Sequence, residues 1–165
     1  MKKILLSLLC VMATLVPTIS YASDDLLVLD WIDLVPENER NQFELNGMPM
    51  IDHSGEQVQQ STVGKVRPEL NGSTVKIPGF VIPLEGDDKV VTEFLLVPYF
   101  GACIHVPPPP ANQIIYVKFP KGAPVQALWD VIYVIGRLKT VHVSHELAEV
   151  GYVIEGTGIA EYDDM

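Results

Sequence analysis

Cysteine is nearly absent from this chain: Cys10 and Cys103 are the only two among 165 residues. Cys10 falls in a segment read below as a cleaved leader, so Cys103 stands alone and no internal disulfide can form. Basic side chains are also scarce, 11 against 21 acidic ones. That balance speaks against nucleic acid and anionic membrane surfaces, both of them polyanions. After residue 22 no apolar run approaches the roughly 18 residues that cross a bilayer, so the mature chain is expected to lack a transmembrane segment. There is no internal repeat.

What is present begins with a targeting pattern. Lys2 and Lys3 give a basic start, Ile4 to Val16 is apolar, and Ser20-Tyr21-Ala22 is a small-x-small cleavage signal. Residues 1–22 therefore read as a signal peptide, and its simple form fits export to a bacterial periplasm. Leu9 precedes Cys10 where a lipoprotein would need a small residue. Removing the leader takes two lysines and no acids, leaving nine basic and 21 acidic residues, a formal charge of −12. The remaining 143 residues (165 minus 22) suffice for one domain with its own core.

The mature chain divides into a lead and polar arm, residues 23–68, and a barrel domain, residues 69–165. In the lead, Trp31, Leu34 and Val35 follow Asp30 at helical spacing, and Pro36 stops that turn while opening another, Glu37 to Phe43. Trp31 and Leu34 are expected to pack on the domain. The stretch from Gly47 to Pro68 is polar and predicts a short hairpin or a wrapping arm. Strands are expected over 73–84, 90–97, 114–119, 131–141 and 151–160. In the first, the apolar phase slips by one at Pro78-Gly79, which predicts a β-bulge at Gly79 with Val75, Ile77, Phe80, Ile82 and Leu84 on one side. Lys121 to Pro124 reads as a turn. Five strands with a bent first strand describe an OB-like Greek-key barrel with a short helical lead, a β-sandwich being the alternative.

Three motifs stand out: Gly72 to Leu84, Glu93 to Tyr99, and Ala102-Cys103-Ile104-His105-Val106-Pro107-Pro108-Pro109-Pro110-Ala111-Asn112-Gln113. With the lead Trp31-x-x-Leu34-x-Pro36, they make most of the mature chain resemble the uncharacterised, exported bacterial family known as domain of unknown function 3299. The resemblance implies an association with ABC-type transporter genes, some linked to zinc handling. It marks Cys103, His105, Asn112 and Gln113, whereas His142 and His145 are not part of the pattern.

On an extended backbone Cys103 and His105 leave the same face, close enough to hold one ion. Thiolate and imidazole suit zinc or cuprous copper, and a structural zinc site wants four ligands. His142 and His145, with a helical turn Glu146 to Val150 expected behind them, or Asp52 and His53 on the arm, are the available suppliers of the rest. Pro107, Pro108, Pro109 and Pro110 force an extended rod that holds the two residues or offers a rigid docking ledge. Asn112 and Gln113 can tie this loop to the barrel or read a partner. Phe80, Tyr99, Phe100 and Tyr116 nearby are read as core. Three functions remain open: a periplasmic accessory protein handling zinc or copper with an ABC-type transporter or its periplasmic component; a metal-free adapter docking through the proline loop; and a thiol enzyme with His105 as base to Cys103, for which no third residue is visible.

Overall fold

The computed structural model describes residues 25–40, 60, 64–100, 102, 109–124, 128 and 130–163. A two-residue strand β1 (Leu27–Val28) precedes the long β2 (Thr74–Gly86) and β3 (Val90–Val97). They are followed by β4 (Ile115–Pro124), β5 (Ile132–Lys139), the short pair β6 (Val143–Ser144) and β7 (Glu149–Val150), and β8 (Tyr152–Glu161). The long strands are ordered β2-β3-β4-β8-β5, and β5 pairs back onto β2 to close a five-stranded barrel. Within the barrel β4 and β8 are parallel and all other pairings antiparallel. This is the OB-like Greek-key order read from the sequence, with helical structure confined to short turns.

Alternation dictates what fills the barrel. Val75 and Ile77 of β2, Phe94 and Leu96 of β3, Ile115 and Val117 of β4, Val134 and Leu138 of β5, and Tyr152 and Ile154 of β8 are all fully buried in one cluster. Their sequence neighbours on each strand face outward. The lead closes one end: β1 runs parallel to β2, with Leu27 opposite Val75, and the 3-10 turn η1 (Trp31–Leu34) follows. The Asp33 carboxylate accepts the Asp30 amide at 2.9 Å at the start of that turn. Leu34 is fully buried and Trp31 packs against the same core. Residues 37–40 are helical, while the rest of the second lead turn lies outside the described residues, as does the polar arm up to residue 59.

Three expectations need correction. β2 carries no bulge at Gly79. Residues 74–79 pair in unbroken register with β5 and 80–83 with β3, and the shifts come later, at Pro83/Glu85 and Glu85/Gly86. Val75, Ile77 and Val81 face the barrel interior, whereas Phe80, Ile82 and Leu84 face outward into a second cluster. The phase slip therefore marks a change in which face is covered. The first half of β2 packs apolar residues only inward; the second half has apolar partners outside as well.

The predicted turn at Lys121 to Pro124 is strand. Gly122, at φ 75°, bends the end of β4 so that Ala123 and Pro124 pair with Val91 and Val90. Finally, β5 ends at Lys139, and the segment expected as a helical turn, Glu146 to Val150, is the second half of a small hairpin. In that hairpin the His145 amide donates to the Ala148 carbonyl at 3.1 Å.

Candidate functional site

β3 ends, β4 begins, β5 ends and β8 begins at one end of the barrel, so the feet of the β3–β4 connection and the β6–β7 hairpin share that end. The loop is fixed at both feet. On the near side Ala102 is fully buried against Leu95, Val97, Ile114, Ala148 and Val150, the second cluster. On the far side Pro109 and Pro110 run into the 3-10 turn η3 (Ala111–Gln113), where the Gln113 amide donates to the Pro110 carbonyl at 2.8 Å. Cys103, His105, Pro107 and Pro108 lie outside the described residues.

Asn112 and Gln113 are 2% exposed each and point inward. The Gln113 side-chain amide donates to the carbonyls of Trp31 and Asn112, both at 3.0 Å, and Asn112 Nδ2 donates to the Lys65 carbonyl at 3.0 Å. Both side chains thus bind the foot of the loop to the lead and to the end of the arm. The lead's other carbonyls are met in the same way. Tyr152 Oη donates to Leu34 O at 2.8 Å and accepts the Arg67 amide at 2.6 Å, and the Arg67 guanidinium donates to Asp33 O at 2.7 Å. Burial pushes the Tyr152 phenol above its usual range. Nothing in the local pattern marks Tyr152 or Arg67, because their partners are distant in sequence.

The hairpin segment carries His142 and His145. His142 Nε2 lies 2.7 Å from Glu149 Oε2, and Ser144 Oγ donates to Glu149 Oε1 at 2.7 Å. His145 Nδ1 accepts the Leu147 amide at 3.3 Å, and its ring lies 6.3 Å from that of Tyr116. Gln60, which no motif singled out, joins hairpin to loop. Its Oε1 accepts the Glu149 amide at 2.6 Å, and its Nε2 donates to the carbonyls of Glu149 at 2.8 Å and Pro109 at 2.7 Å. One primary amide therefore completes the outer edge of β7 and holds the end of the proline run beside it. Among the described residues no three His, Cys, Asp or Glu side chains converge as a metal cluster. His53 lies outside them.

The wall beside the hairpin is acidic. Glu85 of β2 sits directly opposite Glu93 of β3, and Glu93 opposite Lys118 of β4. The Tyr116 hydroxyl donates to the Glu93 carboxylate. Its pKa is pushed up to about 12, first by burial, then by the bond to Glu93 and by the negative charges of Glu93 and Glu85.

Residues 31–161 match the family described as protein of unknown function DUF3299. The chain belongs to that family. Among solved structures it is similar to a DUF3299 family protein from Pseudomonas aeruginosa PAO1, with 36% sequence identity and a TM-score of 0.72. The match covers 86% of this chain and 99% of that one. No curated protein matches the chain. The DUF3299 match takes in the lead from Trp31, the loop, the hairpin and all of β8. Lead, loop and barrel accordingly belong to one family unit.

Proposed function

We propose that this protein is an exported binding module of the periplasm, and that the loop from Cys103 to Pro110 holds a soft transition-metal ion, zinc or cuprous copper, for handover to or from an ABC-type transporter. The observation that carries this reading is the anchoring of the loop. Ala102 is buried at one foot, and Gln60 ties Pro109 at the other to Glu149, the partner of His142. A thiol and an imidazole two residues apart in sequence, in a loop whose two feet are held, supply donor types that suit zinc and cuprous copper. His142, exposed and in reach of Glu149, is a described imidazole from which a further ligand can come. The apolar leader with its cleavage signal supports the compartment.

Zinc or cuprous ion titrated into the reduced full chain after leader removal should bind at one ion per chain. Cys103→Ser and His105→Ala should each weaken binding by an order of magnitude or more. Unchanged affinity in both variants removes the loop as a metal site. Loss in those two with no change in His142→Ala removes His142 from the ligand set.

A further inference from the structure

The outer wall of β2 and β3 bears an apolar layer that the hairpin covers only in part. Phe80, Ile82 and Leu84 from β2, Tyr99 beyond β3 and Tyr116 from β4 are partly buried on the second cluster. Phe100 is 83% exposed, its ring edge-on to Phe80 at 6.1 Å between centroids. Beneath them Leu95, Val97, Ile114 and Val150 are fully buried, so the layer rests on a packed floor rather than on loops. A large exposed aromatic continuous with such a layer is the anatomy of a docking face.

The charge around the layer says what it fits. Glu85 and Glu93 face each other across β2 and β3 at one margin, and the hairpin, whose Ala148 and Val150 pack on the same cluster, carries the exposed Glu146 and Glu149. Lys118, opposite Glu93, also lies on this wall, and its ammonium sits 5.6 Å from the Tyr116 ring centroid. A second copy of this chain would bring the same carboxylates against these, and anionic lipid or nucleic acid would be repelled by them and by the chain's excess of acids. We infer that the outer wall formed by Phe80, Ile82, Leu84, Tyr99, Phe100 and Tyr116 is a docking face for a partner polypeptide segment that presents apolar side chains flanked by lysine or arginine. The inference stands apart from the metal reading: it uses the barrel wall and needs no ion at the loop.

The test uses the full mature chain, isotopically labelled and kept metal-free with chelator, and a short peptide alternating leucine with lysine. Leucine–glutamate and serine–lysine peptides of the same length serve as controls. Amide shifts on adding the leucine–lysine peptide should centre on residues 80–85, 99–100 and 116–118. Phe100→Ala should weaken binding about fivefold or more. The double variant Glu85→Gln/Glu93→Gln should weaken it and flatten its dependence on salt. Because Phe100 is exposed, its replacement leaves the core intact, which an unchanged thermal midpoint verifies.

The inference fails if either control peptide binds as well, if the shifts centre on the β5–β8 wall, or if Phe100→Ala binds like the parent chain. It fails equally if phosphatidylglycerol vesicles bind where the peptide does not. Since every arm is run without metal, its failure leaves the loop's ion binding untouched.

Discussion

The Trp31 indole donates to the Pro78 carbonyl at 2.8 Å while its ring packs on the barrel core. Trp31→Ala removes both contributions and should cost about 3 kcal/mol or more in a denaturant titration. Trp31→Phe keeps an aromatic ring and loses chiefly the donor, so it should cost about 1 kcal/mol. Tyr116 makes a second test. Its folded pKa of about 12 exceeds the ordinary 10.0. As pH rises past 10 the unfolded chain gives up this proton while the folded one retains it. The phenol's contribution to stability is complete below pH 10 and is lost as pH rises to about 12. Ultraviolet titration of the folded protein should show a late tyrosine that Tyr116→Phe removes. Trp31 and Leu34 were legible because their spacing is local and both are apolar. Gln60 was not: its partners Pro109 and Glu149 lie far along the chain, and a glutamine in a polar stretch carries no sign of what it will meet.

At the scale of the element, Gly79 shows how a correct signal can have a different cause. A Cβ there would lie 2.8 Å from Leu96 Cγ, 2.9 Å from the Val97 carbonyl oxygen and 3.0 Å from Trp31 Cζ2. Glycine is required by the close approach of β3 and the lead to an unbulged strand. Gly79→Ala should destabilise by about 1 to 3 kcal/mol, and removing the indole as well should recover part of that, measurable as a double-mutant cycle. The five long strands were legible through alternation. The bulge was misread because a strand covered on both faces shows two apolar phases, and alternation alone assumes one. The hairpin's small strands were missed because two residues make no period. Its outer edge is completed by Gln60, so Gln60→Ala should speed hydrogen exchange at the Glu149 amide while exchange at Val117 in the barrel stays slow.

For the whole molecule, the barrel order followed from five alternating runs and a bent first strand, since few topologies close that many strands. The candidate site was legible in its ingredients and not in its assembly. Cys103, His105 and the prolines form one contiguous string, but that the hairpin's Glu149 and the arm's Gln60 meet its far foot depends on pairings across the whole chain. Those same pairings govern how fast the protein can form. Thr74 at the start of β2 joins Arg137 of β5, and Ile115 of β4 joins Tyr152 of β8. The first pairing spans 63 positions (137 minus 74) and the second 37 (152 minus 115), so both closing seams carry far more loop-closure entropy than a hairpin does. Refolding from denaturant should accordingly take about milliseconds to seconds, slower than for a helical domain of this size. With the second tryptophan replaced, Trp129→Phe, the docking of Trp31 onto Pro78 supplies an internal fluorescent reporter for stopped-flow measurement, making the lead a clock for the closure of the barrel.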